Sequence, residues 1–263
     1  MRVESRNNER LRDVARLATS SHERRKSGRC VLEGLHLIDV YCQRVGLPQT
    51  LVVLDEALAR REVADLVARV PASRTIVVRR ALFSQLASLP ADVSALAVVP
   101  APVTRVSEPG RFCLLLEDVQ DPGNVGTMIR TAAAAGVDQV LLSRDSAFAW
   151  APKALRAGQG AHFLTTVIER VDLGHWIDAF RAAGGRAFAT VVTDATSVYR
   201  ADLRGRVAIA IGREGSGLSP ALSQACDARI AIPMASGSES LNAAAAAAVV
   251  LFEAVRQRGG DAP

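Results

Sequence analysis

Three loops rich in Gly, Pro and Ser hold most of the side chains in this sequence that could do chemistry. They span residues 117–130, 211–219 and 232–242. Each follows an apolar run with the composition of a β-strand, and each precedes a helical pattern. Proteins with parallel α/β sheets bind their ligands in loops of this kind, at the carboxyl edge of the sheet. We therefore predict that the three loops form one composite site.

The first loop carries Asn124 and Arg130. Pro122-Gly123 favours a tight turn, and Asn124 is a residue type that caps helices. In one interpretation, Asn124 and Arg130 face a phosphate-bearing substrate near the start of the following helix. In the other, Asn124 is an ordinary N-cap and Arg130 a surface residue. The loop by itself leaves both open.

The second loop carries three glycines and Glu214. Gly212, Gly215 and Gly217 would let backbone amides approach a ligand closely. Their spacing is the reverse of a dinucleotide-binding loop, and no acidic residue follows about 20 positions later, which argues against a nicotinamide enzyme. Glu214 either fixes a hydroxyl or orients the loop, or it is a solvated turn carboxylate.

The third loop carries Ser240 and Asn242 and leads into an Ala-rich helix. These residues could contribute polar groups to the site. A structural alternative is a capping box, in which Ser238 or Ser240 caps the helix and Glu239 adds negative charge at its positive end.

Composition narrows the class of protein. The chain has 263 residues, of which 49 % are apolar, enough for one or two domains with a core. It has no run of about 18 apolar residues and no apolar signal segment, so we expect a cytoplasmic protein. The four cysteines lack metal-ligand spacing, so we predict buried thiols and no metal site.

Basic residues cluster at the N-terminus. Residues 1–30 hold nine basic and four acidic residues, which accounts for the whole net charge of +5. A basic arm on a neutral body suits a polyanionic partner. We therefore predict that this segment, residues 1–30, grips RNA phosphates, and that residues 20–28 within it form a charged loop. The candidates are Arg24, Arg25, Lys26 and Arg29. The alternative is a solvated arm without a partner.

Alternating strands and helices indicate an α/β protein with two domains. Residues 1–103 form a predicted small α/β sandwich, a Pro-rich stretch at 104–110 is the predicted linker, and 111–263 form a second α/β series. Continuous apolar runs at 112–116 and 207–211 predict central strands covered on both faces. The other predicted strands are 30–32, 50–54, 75–78, 95–99, 139–142, 164–168, 186–192 and 229–232. The predicted helices are 5–19, 35–44, 57–70, 81–89, 124–135, 151–157, 174–183, 219–225 and 240–257.

Taken in order, the three loops and the C-terminal helix resemble the SpoU (TrmH) family of SPOUT methyltransferases. The resemblance covers roughly residues 111–257, and the first hundred residues resemble the ribosomal-protein-like substrate-binding domain often fused in front of it. It implies a parallel-sheet SPOUT domain with a C-terminal trefoil knot, an exception to the usual rule against threaded chains. It also implies a homodimer with the site near the interface.

The same resemblance implies methylation of a ribose 2′-hydroxyl in structured RNA with S-adenosyl-L-methionine. Ribosomal RNA is favoured as substrate; transfer RNA and a non-catalytic ribosome-assembly role are the alternatives. By motif position, the catalytic set is Asn124, Arg130, Glu214, Ser240 and Asn242. The cofactor-binding set is Gly212, Gly215, Gly217, Ile232 and Leu241. The sequence departs from the family pattern at Arg213, Ser236-Gly237 and Ala244, which affects details of the cofactor loops.

Overall fold

A computed structural model describes residues 1–5, 7–86, 93–102, 108–236 and 240–259. Its helices are α1 (Glu9–Thr19), α2 (Ser21–Ser27), α3 (Leu35–Arg44), α4 (Arg61–Arg69), α5 (Arg80–Phe83), α6 (Pro122–Ala134), α7 (Pro152–Gly158), α8 (Leu173–Ala182), α9 (Pro220–Ala225) and α10 (Ala243–Gln257). Its strands are β1 (Arg29–Glu33), β2 (Thr50–Leu54), β3 (Thr75–Val78), β4 (Ala95–Pro100), β5 (Phe112–Leu116), β6 (Gln139–Ser143), β7 (Thr166–Val171), β8 (Arg186–Thr190), β9 (Thr196–Ser197), β10 (Val207–Ile211) and β11 (Ala228–Ala231). Short 3-10 helices lie at Asp55–Ala59, Ala72–Arg74 and Ala161–Phe163.

The chain divides into two compact units. The first comprises Met1–Val103 and Trp150–Phe163, and the second comprises Thr104–Ala149 and Leu164–Pro263. The sequence did not suggest that 150–163 would pack with the N-terminal residues. There, the ring of Phe163 meets Tyr41 edge-on at 5.3 Å. Most of the stretch proposed as a linker, 104–110, lies outside the described residues.

The first unit contains a mixed four-stranded sheet in the order β1-β4-β2-β3. β4 is antiparallel to both of its neighbours, and β2 is parallel to β3. The strands contribute fully buried residues such as Val31, Leu51, Ile76 and Leu96 to the core. This arrangement agrees with the predicted small α/β sandwich.

The N-terminal segment is an integral part of this unit, so the prediction of a charged loop at 20–28 was wrong. Ser20 caps α2 by accepting from the Glu23 amide at 3.2 Å, and Gly28, at a φ of +62°, ends the helix. The first residues also pair with β3, since the Val3 amide donates to the Val77 carbonyl at 3.0 Å. The pairing holds the first residues against the sheet, and the cap starts a helix where a loop was predicted.

The second unit contains a seven-stranded sheet in the order β7-β6-β5-β10-β8-β11-β9. Every pairing in it is parallel. β5 and β10 lie side by side at its centre and are buried along their whole length, as the apolar runs predicted. β9 was missed because two residues are too few to show a period. The parallel α/β architecture is confirmed, and the trefoil knot stays a prediction.

The central pair brings two of the three loops together. β5 and β10 are in register from start to finish, with Leu116 opposite Ile211, so both strands end at the same level. Just beyond, the Glu117 amide donates to the Ile211 carbonyl at 2.9 Å. The Glu117 carboxylate accepts from the amide and the hydroxyl of Ser219, both at 2.7 Å. These bonds close the base of the site.

Candidate active site

The helix after β5 is capped by Asp121, so of the two interpretations of Asn124 the ordinary N-cap does not hold. The Asp121 carboxylate accepts from the amides of Gly123 and Asn124, at 2.5 and 3.0 Å. Pro122 then occupies the first turn, where its missing N–H costs nothing. Because Asp121 satisfies the helix start, the side chain of Asn124 is available for other contacts.

The side chains of Asn124, Glu214 and Asn242 form a hydrogen-bonded chain, which we call the amide relay. Asn124 Nδ2 donates to Glu214 Oε1 at 2.8 Å, and Asn242 Nδ2 donates to Asn124 Oδ1 at 3.3 Å. Asn242 Oδ1 accepts from the amides of Ala244 and Ala245, at 2.9 and 3.2 Å, and so caps α10. The relay joins all three loops, and Asn242 takes the capping role that was considered for Ser238 or Ser240; Ser238 and Glu239 lie outside the described residues.

The relay has one direction, which is determined by an acceptor at one end and donors at the other. An ionised carboxylate only accepts hydrogen bonds, and the amides at a helix start only donate. Glu214 therefore fixes the position of the Asn124 amide nitrogen, which donates to it. The amides of α10 fix the position of the Asn242 side-chain oxygen, which accepts from them. Partial burial opposes ionisation of Glu214, but hydrogen bonds from Asn124 and from nearby backbone amides outweigh it and lower the pKa of this carboxyl.

The glycines of the second loop serve the turn of the chain itself. Arg213 and Gly217 exchange backbone hydrogen bonds of 3.1 and 2.9 Å across the turn. A Cβ on Gly212 would lie 2.1 Å from the Gly217 carbonyl carbon, so only glycine fits there. Gly215 and Gly217 have φ values of +86° and +70°, the left-handed region that glycine favours. The close approach predicted for a ligand at Gly212 is made by the loop's own backbone.

A cleft of about 450 Å³ opens between the second and third loops, beside the end of β8. All five residues predicted to contact the cofactor line it, and so do three of the five predicted catalytic residues, Glu214, Ser240 and Asn242. Asn124 joins the cleft edge through the relay. Its apolar walls come from Ile211, Leu218, Ile230, Ile232, Met234, Leu241 and Val250.

Arg130 is the predicted site residue that the structure leaves apart. It is exposed on α6 and is not among the residues lining the cleft. Within the described part of the chain, its guanidinium has no hydrogen bond or ion pair. Such a side chain is accessible to an external anion.

Sequence reasoning missed Gln120, which ties the first loop to its neighbours. Its Nε2 donates to the carbonyls of Asp118 and Asp145, at 3.0 and 2.7 Å. Its backbone amide donates to Glu214 Oε2 at 3.3 Å. An exposed Gln in a loop carries no periodic or capping signal, so only the tertiary contacts identify it.

Two of the four predicted RNA-binding residues are engaged inside the first unit. Arg24 is buried and donates to the carbonyls of Leu17 and Ala18, at 2.7 and 3.1 Å, which corrects its assignment as a phosphate ligand. Arg29 forms a two-pronged ion pair with Asp13, at 2.6 and 2.9 Å. Lys26 is exposed and can still meet a phosphate, and Arg25 is also exposed.

The cysteines are structural in character. Burial is the main cause that raises the pKa of Cys30, Cys113 and Cys226 to about 12, so all three stay protonated thiols. In the described ranges, no group of three or more His, Cys, Asp or Glu side chains could hold a metal ion. None of the helices in those ranges has the length and apolar character needed to traverse a lipid bilayer.

Comparisons with known proteins agree with this geometry. Residues 111–252 match the model of the SpoU rRNA Methylase family. The chain is 32 % identical over 250 residues to the 23S rRNA (guanosine(2553)-2'-O)-methyltransferase RlmP of Bacillus subtilis, covering 95 % of this chain and 97 % of that protein. It is 37 % identical over 147 residues to the 23S rRNA (guanosine-2'-O-)-methyltransferase RlmB of Xanthomonas campestris, covering 56 % of this chain and 59 % of that protein.

Solved structures extend the similarity to the whole chain. The SpoU methyltransferase AviRb of Streptomyces viridochromogenes, in complex with AdoMet, superposes with a TM-score of 0.86 at 28 % identity. The match covers 97 % of this chain and 100 % of that one. An AdoMet-bound rRNA methyltransferase of Sinorhizobium meliloti gives a TM-score of 0.84 at 26 % identity, covering 97 % of each chain.

Proposed function

The chain belongs to the SpoU rRNA methylase family, and from that premise we propose that it methylates a ribose 2′-hydroxyl of ribosomal RNA, with S-adenosyl-L-methionine as methyl donor. The observation that carries the proposal is the amide relay at the edge of the cleft. It links Asn124, Glu214 and Asn242, three residues that the sequence motifs place in the predicted catalytic set.

The cleft fits the cofactor. A volume of about 450 Å³ lies in the range of small-molecule sites, and the mixture of apolar walls with backbone polar groups suits a nucleoside with a charged tail. Gly212, Ile232 and Leu241 would hold it, largely through their backbone groups. When bound, S-adenosyl-L-methionine supplies an activated methyl group.

The residues around the cleft have complementary roles in this proposal. The relay holds the second and third loops against α6, so the reacting groups meet in a defined orientation. Ser240 and Asn242 line the cleft and could pass on the proton lost by the 2′-hydroxyl, directly or through water. Arg130 holds the adjacent phosphate and stabilises developing negative charge, since a guanidinium with a pKa above about 12 is a poor base.

We also propose that the enzyme works as a homodimer. Arg130 is exposed and does not line the cleft of its own chain, and Phe252 on α10 leaves 48 % of its surface exposed. A second copy that covers α10 would bury Phe252. A substrate of ribosomal RNA further implies a cytoplasmic location, and we propose a role in RNA recognition for residues 1–103.

Two alternatives remain as outcomes of a direct test. Purified protein is incubated with labelled S-adenosyl-L-methionine in two separate reactions. One contains an unmodified 23S rRNA transcript, and the other contains an unmodified tRNA transcript. We expect label in alkali-resistant 2′-O-methyl dinucleotides from the ribosomal RNA. Label in tRNA alone would reassign the substrate, label only on bases would contradict the ribose assignment, and RNA binding without any transfer would indicate a non-catalytic assembly factor.

A further inference from the structure

Two arginines in the loops around the relay carry charge that the chain does not use. Arg144 directly follows β6, and Arg213 lies two residues after the end of β10. Both are exposed. Within the residues that the structure describes, neither guanidinium forms a hydrogen bond or an ion pair, although Asp145 and Glu214 are their sequence neighbours.

Three arginines at the opposite edge of the same sheet make contacts within the chain. Arg204 pairs with Asp202 at 2.8 Å, Arg206 donates to the Gly110 carbonyl at 3.2 Å, and Arg258 donates to the Gly205 carbonyl at 2.9 Å. Those side chains stabilise turns of the second unit. Arg144 and Arg213 lie at the edge that carries the site, and their guanidinium groups are accessible to an external anion.

The backbones that carry the two arginines are held in place. Gln120 bridges the two loops: its side chain donates to the Asp145 carbonyl at 2.7 Å, and its amide donates to Glu214 at 3.3 Å. Arg213 is also fixed by its paired backbone bonds with Gly217. The two arginines therefore stand on ordered loops on either side of the first loop.

The sheet order sets their separation. β6 and β10 flank β5, so the two loops start about 10 Å apart, twice the spacing between neighbouring strands. At this separation, two long Arg side chains on either side of Asn124 can contact the phosphates that flank one nucleotide. A guanidinium matches a phosphate with two parallel hydrogen bonds, which a Lys cannot reproduce.

We propose that Arg144 and Arg213 form a clamp for the RNA phosphates that flank the target ribose. The clamp rests on the proposed function for the identity of the nucleotide, but its ligand chemistry is the phosphodiester backbone of any RNA. Phosphate contacts of this kind fix the register of the strand and carry no base information. The clamp thus presents one ribose to the relay and leaves base selection to other parts of the protein.

The test uses Arg144→Ala, Arg213→Ala and the double variant, with Arg204→Ala as a control that removes the same charge at the opposite edge. RNA affinity is measured on the 23S rRNA transcript over a range of salt concentrations. Each clamp variant should bind about tenfold more weakly and should lower the slope of log affinity against log salt by about 1. Arg204→Ala should keep the wild-type slope. Arg144→Lys should recover the slope and only part of the affinity.

Two further measurements separate a phosphate clamp from a role of Arg213 in cofactor binding. Arg213 also lines the cleft, so S-adenosyl-L-methionine affinity is measured by calorimetry for each variant. We expect less than a twofold change in that affinity, together with a higher KM for RNA. If Arg213→Ala loses cofactor affinity and keeps the wild-type salt slope for RNA binding, Arg213 belongs to the cofactor cleft and the clamp is overturned. The clamp is also overturned if its variants bind RNA as Arg204→Ala does. If wild-type protein transfers no methyl group, the proposed function fails, but the salt slopes still decide whether the clamp exists.

Discussion

The side-chain amide of Asn124 donates to the Glu214 carboxylate across 2.8 Å, although the two residues are 90 positions apart. The bond joins the helix after β5 to the turn after β10, and Asn242 extends it to the start of α10. Because the charged end accepts and the helical end donates, the two Asn amides are oriented without any contribution from a ligand. The site is in this respect preorganised.

Glu214→Gln tests the charge of the relay. A glutamine can still accept from Asn124, but hydrogen bonds to charged groups contribute about 1 kcal/mol more than neutral ones. We expect the free energy of unfolding to fall by about 1 kcal/mol and turnover to fall more than cofactor affinity. Glu214→Ala should lose more of both because it leaves Asn124 without its acceptor. Equal turnover in the wild type and Glu214→Gln would show that orientation alone, without charge, is sufficient.

The same pair gives a pH dependence with a defined sign. The pKa of Glu214 is lowered from its ordinary value of 4.5, so its ionised form stabilises the fold. That stabilisation is complete above about pH 4.5 and is lost as the pH falls through the lowered pKa of the folded state. The stability difference between the wild type and Glu214→Gln should therefore shrink in acid below pH 4.5 and stay constant at higher pH. Denaturant titrations at pH values on both sides of 4.5 measure it, and a difference that grows in acid would contradict the assignment.

Arg130→Ala is expected to reduce turnover far more than cofactor affinity. Arg130 does not line the cleft, and losing one contact that stabilises developing charge typically costs about 10²–10³ in rate. Single-turnover kinetics at saturating RNA and calorimetry with the cofactor separate the two effects. Arg204→Ala, which removes a paired arginine elsewhere on the second unit, should change neither. An unchanged single-turnover rate in Arg130→Ala would remove Arg130 from the mechanism.

Gly212 and Gly215 should respond differently to alanine. A Cβ at Gly212 would overlap the backbone of Gly217 and Leu218, so Gly212→Ala must open the turn and should abolish cofactor binding. At Gly215 there is room, and the cost comes only from a φ of +86°, about 1–2 kcal/mol for a residue with a Cβ. Thermal unfolding measures the stability of the two variants, and calorimetry measures their cofactor affinity. A larger loss of either in Gly215→Ala than in Gly212→Ala would contradict this prediction.

The N-terminal basic cluster needs a test that spares Arg24. Arg24→Ala should destabilise the protein, because Arg24 is buried on the carbonyls that end α1. Arg25→Ala combined with Lys26→Ala should leave stability within about 0.5 kcal/mol, as is usual for surface changes. The double variant should also weaken RNA binding and flatten its salt dependence. Cofactor binding is the internal control, since the cleft belongs to the second unit. A wild-type salt slope in the double variant would leave this segment without a role in RNA binding.

Local patterns in the sequence determined the elements and the loops that carry the site. The strands at 50–54, 75–78, 112–116 and 207–211 were predicted to the residue, because buried strands are continuous apolar runs bounded by turn residues. The order of strand, polar loop and helix also located the site residues along the chain. These elements depend on residues that are close together in the sequence, so they can be predicted before the fold is known.

Partners far apart in sequence were decided by the tertiary structure alone. The sheet register brings Glu117 to Ser219 and Asn124 to Glu214, so a carboxylate that looked like a turn residue became the fixed end of a relay. Packing likewise buried Arg24, although in the sequence it looks like its exposed neighbours Arg25 and Lys26, because its side chain meets the carbonyl end of α1. Hydrogen bonds and burial depend on which segments the sheet places side by side, and strand order is a property of the whole chain.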